Sequence, residues 1–226
     1  MWWARRSPST GDCRFDVAGR PMRPRSRGKL ELGSAVIELL IPHRRPFLMV
    51  DTVEDFSGAP RPSIEASRHV SMNEAYFDGH FPGMPLWPGA LTMEGLGQSA
   101  VLLQTLVRLE QLVRERGQEP ERVLETLRNL DRGFRLHPGY RADGVEVLTS
   151  HLRSAQSGIA VGAAVEMKFL KPVLPGCRLD YAVELTDRIG DLMRFSAEAS
   201  VEGEPVARGW ITGAIAPRAV MPNRSS

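Results

Sequence analysis

The stretch that decides the fold is "PGALTMEGLGQSAVLLQ", residues 88–104, where proline and glycine open a long apolar segment. Wound as a helix, this segment has apolar residues on nearly every side, which is typical of a helix buried within a domain. Pro88 suits the first helical turn because its missing N–H would have no partner there. Charges on one side beyond Gln104 predict that the helix runs into solvent and ends near Gly117. At 1.5 Å per residue it would be roughly 40 Å long.

Shorter elements precede and follow this helix. Ser34 is expected to cap a short helix that Pro42 stops. A second, amphipathic helix over "PERVLETLRNLDRG" is expected to end at its glycine, Gly133. The remaining patterns alternate apolar and polar residues or are rich in β-branched residues, and they predict strands over 45–57, 63–71, 158–170, 178–188, 192–203 and 205–216.

The order of these elements predicts an α+β fold. The last four strands follow one another through short connections that contain Gly or Asp, which indicates an antiparallel meander and not βαβ units. We therefore expect one antiparallel sheet wrapped around the long helix. At 226 residues the chain suits a single domain, which we place at 30–217 with a helical and loop insertion at 104–150.

Both ends of the chain are expected to lie outside this domain. Residues 1–29 carry eight basic residues against two acidic ones, so the formal net charge of +2 becomes −4 for the rest of the chain. The basic segment is interpreted as a disordered arm, or as an overlong start upstream of Met22, and residues 218–226 as a C-terminal tail. The acidic body excludes a nucleic-acid-binding domain.

Other classes of protein find no support in the sequence. No window approaches the roughly 20 apolar residues that a membrane span requires, and no apolar core of a signal peptide follows the first arginines, so a cytoplasmic location is expected. Cys13 and Cys177 form no disulfide framework, and Cys177 is expected to be a structural thiol. The five histidines show no metal-ligand spacing, and GxSxG, GxGxxG and Walker motifs are absent; no metal or cofactor is predicted.

His80 and Glu94 are the residues whose context points to chemistry. The prolines at 82, 85 and 88 stiffen the connection between His80 and the helix. Glu94 lies inside the helix among apolar neighbours, where an unpaired carboxylate is costly to bury, and such costs are typical of functional sites. Gly89 offers a free N–H at the helix start. A base, an acid and an oxyanion donor of this kind suit proton abstraction next to a carbonyl.

The segment "GHFPGMPLWPGALTMEGLGQ", 79–98, resembles the active-site segment of the (3R)-hydroxyacyl-[acyl-carrier-protein] dehydratases, which are hotdog-fold enzymes of fatty acid synthesis. Its pattern GHFPxxPxxPGxxxxE followed by Gln is present in full. Three further stretches are similar to family segments in the family's order: "LLIPHRRPFLMVDTV" (39–53), "NEAYFDGHFPG" (73–83) and "MKFLKPVLPGCRL" (167–179).

The resemblance implies dehydration of a (3R)-hydroxyacyl thioester, bound to acyl carrier protein or coenzyme A, to the trans-2-enoyl thioester. It implies His80 as the base at C2, Glu94 as the acid at the C3 hydroxyl and Gly89 N–H at the thioester oxygen. Phe81, Pro88 and Gln98 are then expected to bind substrate. It also implies a homodimer, or a multiple of dimers, in which the histidine and the acid of one site come from different subunits. Glutamate at position 94 resembles the branch that only dehydrates.

Departures from the family pattern keep alternatives open. Gly95 and Gly97 stand where the family usually has good helix formers, either to make room for an acyl chain or as a packing detail. Trp87 replaces a smaller residue. The insertion could cover the acyl tunnel or dock a carrier protein, although a solvated helical hairpin is favoured.

The pathway could be fatty acid, polyketide or specialised lipid synthesis. A hotdog acyl thioesterase and a non-catalytic acyl-carrier-binding subunit are the alternative functions.

Overall fold

The computed structural model describes residues 30–137, 140 and 158–217. Seven strands form one sheet in the order β1-β2-β3-β5-β6-β7-β4, with every neighbouring pair antiparallel. The strands are β1 Leu32–Gly33, β2 Thr52–Ser57, β3 Ser63–His69, β4 Gly158–Phe169, β5 Arg178–Ile189, β6 Leu192–Val201 and β7 Glu204–Pro217. The helices are α1 Ser34–Leu40, α2 Gly89–Glu115 and α3 Pro120–Leu136, with a 3-10 helix at Ala75–Asp78. The predicted tails, 1–29 and 218–226, lie outside the described residues.

Helix α2 is the axis of the domain. Its 27 residues pack against β3, β4, β5 and β6 on one face of the sheet. Burying each of its leucines contributes about 1.5–3 kcal/mol to the free energy of unfolding; those fully buried are Leu96, Leu102, Leu103, Leu106 and Leu109. The predicted α+β architecture, a sheet wrapped around a long helix, is confirmed. Of the helices in the described part of the chain, none combines the length and the apolar character that crossing a membrane requires.

The strand predicted over 45–57 is shorter in the structure, because β2 begins only at Thr52. Residues 45–51 before it form no strand, and the side chain of Gln98 hydrogen-bonds to two of their backbone groups in place of a neighbouring strand. The Met49 N–H donates to Gln98 Oε1 at 2.8 Å, and the Phe47 carbonyl accepts from Gln98 Nε2 at 2.7 Å. The apolar pattern therefore predicted correctly that the segment is buried, but it did not predict that a side chain would be its hydrogen-bond partner.

Two predicted helix boundaries are wrong. Ser34 is the first residue of α1 and not its cap; the cap is Gly33, whose N–H donates to Oδ1 of Asp131 at 2.7 Å. Gly133 does not end α3, which continues to Leu136. The ring of Tyr140 fills the space that a Cβ at position 133 would need. This glycine allows close packing and is not a stop signal.

The first part of the insertion belongs to the core. Helix α3 packs against α1, α2 and β1, with Leu127 and Leu130 fully buried. The buried carboxylate of Asp131 joins α3 to the start of α1 and forms an ion pair with Arg135. The favoured interpretation as a solvated hairpin is therefore wrong for α3, and residues 138, 139 and 141–150 of the insertion lie outside the described part of the chain.

The two unusual glycines of α2 have different surroundings. A Cβ at Gly95 would collide with the hydroxyl and ring of Tyr181, which is 1% exposed. A Cβ at Gly97 would meet nothing within 4 Å, and Gly97 lines a cavity. Gly95 is thus a packing requirement, whereas Gly97 leaves open space.

Alanine substitutions should separate these two roles. Gly95→Ala should lower the free energy of unfolding by about 1–3 kcal/mol, because the buried Tyr181 ring must move. Gly97→Ala meets no clash and should raise it by up to about 1 kcal/mol through helix propensity. Urea unfolding followed by circular dichroism measures both. Equal effects of the two substitutions would contradict the packing described here.

Candidate active site

His80 lies in the loop between the 3-10 helix and α2, and hydrogen bonds fix its ring. Its Nδ1 is 2.9 Å from the carbonyl oxygen of Leu86. Since a carbonyl only accepts, Nδ1 carries the hydrogen of the neutral ring and Nε2 keeps its lone pair. The backbone supports this orientation: His80 N–H donates to Tyr76 O at 3.0 Å, and Leu86 N–H donates to His80 O at 3.0 Å. The ring is therefore prepared to accept a proton at Nε2.

Arg68 joins the two ends of the His80 loop to the sheet. Its guanidinium donates to the Leu48 carbonyl at 3.1 Å and to Asp51 Oδ1 at 3.0 Å, and it also binds the carboxylate of Glu74 before the loop. After the loop, the ring of Trp87 lies 5.8 Å from the guanidinium carbon, within the range of a cation–π contact. Strand alternation places Arg68 on the same face as the buried Ile64 and Ala66, and this signal of a buried cation was not used in the prediction.

Glu94 projects from α2 and is held by Gln98. The Oε1 atom of Gln98 accepts from the Met49 N–H, so its amide nitrogen must face the other way, where it donates to Phe47 O and to Glu94 Oε1 at 2.8 Å. Gln98 is 1% exposed, so this arrangement is fixed by packing. The second oxygen of Glu94, Oε2, has no polar partner among residues 30–137, 140 and 158–217. One carboxyl oxygen is thus anchored and the other is free.

A cavity of about 270 Å³ lies beside Glu94. Its walls are largely apolar and come from α2, β4, β6 and β7, with Met93, Val101, Val165, Phe195 and Ile211 among the lining side chains. Gln98 and Gln104 add polar groups. His80 is not among the lining residues, so the structure does not bring the two predicted catalytic side chains together around this cavity within one chain.

Gly89 begins α2 beside an open cleft of about 550 Å³. Its N–H donates no hydrogen bond within the described residues, as expected for the first residue of a helix. A Cβ at this position would lie 2.8 Å from the ring of Phe169, so the absence of a side chain matters here. Ala90 lines both the cleft and the Glu94 cavity, which therefore adjoin. This position is compatible with an oxyanion donor.

The other predicted substrate-binding residues take three different places. Phe81 is stacked on His80 with ring centroids 4.2 Å apart, and it is half exposed. Pro88 is the N-cap of α2, and its carbonyl accepts from the N–H of Leu91 at 3.0 Å. Gln98 is the anchor of Glu94. Phe81 thus contacts His80, Pro88 caps the start of α2, and Gln98 holds the acid.

His43 is a further residue of the site that was not predicted from the sequence; its Nε2 lies 3.7 Å from Oε1 of Glu94. Burial lowers the pKa of His43, and the carboxylate of Glu94 partly opposes this effect. The available signal was its place in "PHRRPF", one of the segments that resemble the dehydratases. Within the described residues, no group of three His, Cys, Asp or Glu side chains could hold a metal ion.

Replacing Gln98 should test its role as an anchor. Gln98→Met leaves the buried Met49 N–H and Phe47 carbonyl without partners, so we expect a loss of about 1–3 kcal/mol in the free energy of unfolding. Gln104→Met is the matched control, since Gln104 is in the same helix and cavity but makes no hydrogen bond to a described residue; it should change stability by less than ~0.5 kcal/mol. Urea denaturation measures both, and a stable Gln98→Met protein would refute the anchor.

Comparison with known proteins identifies similar chains. A family model for the FabA-like domain matches residues 41–126. The 3-hydroxyacyl-[acyl-carrier-protein] dehydratase FabZ of Anaeromyxobacter sp. (strain K) is 32% identical over 182 residues, 80% of this chain and 89% of that protein. The FabZ dehydratase of Polynucleobacter necessarius subsp. necessarius (strain STIR1) is 35% identical over 177 residues, 78% and 87% of the two chains. The dehydratase heterocomplex ApeI:P from Xenorhabdus doucetiae aligns with a TM-score of 0.49 at 13% identity, covering 80% of this chain and 91% of that one.

The region matched by the family model contains both predicted catalytic residues, the Gly89 helix start and the Gln98 anchor. The two dehydratases match over nearly their whole length, so the similarity is not restricted to one motif. The chain belongs to the FabZ family of 3-hydroxyacyl-[acyl-carrier-protein] dehydratases.

Proposed function

We propose that the protein dehydrates (3R)-3-hydroxyacyl thioesters to trans-2-enoyl thioesters in fatty acid biosynthesis or a related lipid or polyketide pathway. The observation that carries this proposal is the state of Glu94, whose Oε1 is anchored by Gln98 while Oε2 has no polar partner among the described residues, and whose side chain lines a largely apolar cavity. A carboxyl group in this position can give a proton to a leaving hydroxyl group. The two relatives, of which the match covers 89% and 87%, are named as dehydratases, and this supports the same reaction.

The mechanism assigns one task to each group. Nε2 of His80 takes the proton from C2, and the C2–H electron pair forms the C2–C3 double bond. The N–H of Gly89 stabilises the negative charge that develops on the thioester oxygen. The C3–O bond breaks, and the hydroxyl group leaves as water with the proton of Glu94. Proton transfer from the imidazolium back to the carboxylate, through water, restores both residues.

We further propose that each site is shared between two protomers, with His80 from one and Glu94 from the other. His80 is not among the residues that line the Glu94 cavity of its own chain. Strand β4 is an edge of the sheet and exposes Val165 and Phe169 beside the two cavities. A second copy would cover such an edge. A homodimer, or a multiple of dimers, follows.

The substrate carrier is proposed from the relatives, whose names specify acyl carrier protein; coenzyme A thioesters are the smaller alternative.

Cys177 is a free thiol, and burial raises its pKa, which disfavours the reactive thiolate. A free thiol of this kind suits the reducing cytoplasm, where we place the protein.

The activity is tested with a series of 3-hydroxyacyl thioesters of different chain length, by following the absorbance of the enoyl product. Wild type should form enoyl thioester, whereas His80→Ala and Glu94→Gln should each lose at least ~100-fold in kcat while remaining folded. Full activity in His80→Ala would refute the mechanism. Release of free thiol would indicate a thioesterase, and carrier binding without turnover at any chain length would indicate a binding subunit.

The shared site is tested by mixing the two inactive variants. In a dimer of one His80→Ala chain and one Glu94→Gln chain, one site combines both substitutions and the other retains both native residues. Random reassembly of equal amounts should therefore recover about a quarter of wild-type activity. Mixing each variant with itself is the control. No recovery, with mixed dimers demonstrated by mass spectrometry, would place both residues of a site in one chain.

A further inference from the structure

His43 is a titratable residue at the Glu94 cavity that the proposed mechanism does not use. It follows α1 and lines the same cavity as Glu94. The distance of 3.7 Å between His43 Nε2 and Glu94 Oε1 exceeds that of a hydrogen bond but is short enough for a small rotation to close it. Both side chains are about three-quarters covered, with 27% and 29% exposed.

The backbone that carries His43 is fixed. The Ile41 N–H donates to the Ile37 carbonyl at the end of α1. The guanidinium of Arg44 then donates to the carbonyl oxygens of Ile41, at 2.9 Å, and His43, at 2.8 Å. Arg44 also forms a 3.6 Å ion pair with Glu38. The backbone at His43 therefore follows a helix end that four separate contacts hold.

The surroundings of the ring select its protonation state. Burial lowers the pKa of His43, the carboxylate of Glu94 raises it, and the guanidinium of Arg44 lowers it; the net effect lowers the pKa and favours the neutral ring. Nδ1 is buried and has no hydrogen-bond partner in the described part of the chain. A buried N–H donor without a partner is rarer than a buried acceptor without one. The hydrogen of the neutral ring therefore belongs on Nε2, the nitrogen that faces Glu94.

We infer that His43 is a positioning residue for Glu94: its Nε2–H and the amide of Gln98 together hold Oε1, so that Oε2 is the oxygen presented to the substrate. This inference rests on the proposed function. When Glu94 gives its proton to the leaving hydroxyl group, a carboxylate forms, and the His43 N–H is placed to stabilise that charge. The ring exchanges no proton with the substrate.

The contact can be tested without turnover by NMR titration of the full-length protein labelled with 15N-histidine. The His43 signals are assigned by their absence in His43→Gln. We expect the Nε2–H tautomer near neutral pH and a lower pKa for His43 in Glu94→Gln than in wild type, because the substitution removes the negative charge that raises it. An Nδ1–H tautomer, or equal pKa values in the two proteins, would overturn the inference.

The effect on the reaction is tested by comparing two substitutions of His43. His43→Met removes the N–H donor and should lower kcat roughly 10- to 100-fold with little change in KM. His43→Gln places an amide N–H near the same point and should restore most of kcat. His69→Gln is the control, because His69 is 70% exposed and belongs to neither cavity. Equal losses in the two His43 variants, or a change in KM alone, would refute a positioning role.

A failure of the proposed function can be distinguished from a failure of the inference about His43. If wild type forms no enoyl product, the proposed function is wrong, and the titration alone then decides whether His43 and Glu94 interact. If wild type is active but the pKa of His43 does not respond to Glu94→Gln, only the inference about His43 is wrong.

Discussion

The candidate site depends on one side-chain amide. Gln98 hydrogen-bonds to the backbone of the segment before β2 with both ends of its amide, and the remaining N–H holds the carboxyl group of Glu94. Because Gln98 is buried, reversing the amide would place two donors, or two acceptors, against each other at Met49 and Phe47. The same side chain therefore joins α2 to the segment before β2 and orients the acidic residue of the helix.

Different elements of the fold position the residues proposed for the reaction. Glu94 is placed by a long helix that the sheet covers, so its position is determined by the core. His80 is placed by a loop whose two ends Arg68 holds, through Glu74 on one side and Trp87 on the other. Gly89 lies where loop and helix meet. In the proposed assembly, the loop of one protomer approaches the helix of another, so that catalysis requires the oligomer although each protomer folds around its own α2.

The sequence predicted the architecture well, since periodicity records which residues are buried. The limits of α2 and of the last four strands follow from apolar spacing and turn residues, and the structure agrees with them within a few residues. The motif identified His80, Gly89 and Glu94, and the structure places Glu94 and Gly89 at adjoining cavities. What periodicity could not predict are contacts between side chains and distant backbone. The hydrogen bonds of Gln98 occupy backbone groups that the prediction had placed in a strand. The ring of Tyr140 accounts for a glycine inside α3. The roles of His43 and Arg68 depend on contacts with residues far away in the chain.

The central claim is that an imidazole and a carboxyl group from two copies of the chain face a single acyl thioester. The most direct measurement is a crystal structure of the assembled Glu94→Gln protein with a bound 3-hydroxyacyl thioester. The account predicts that Nε2 of His80 in one protomer lies beside C2, while the side chain at position 94 of its partner lies beside the C3 hydroxyl. A structure in which His80 faces bulk solvent, or in which the two positions border separate cavities, would contradict it.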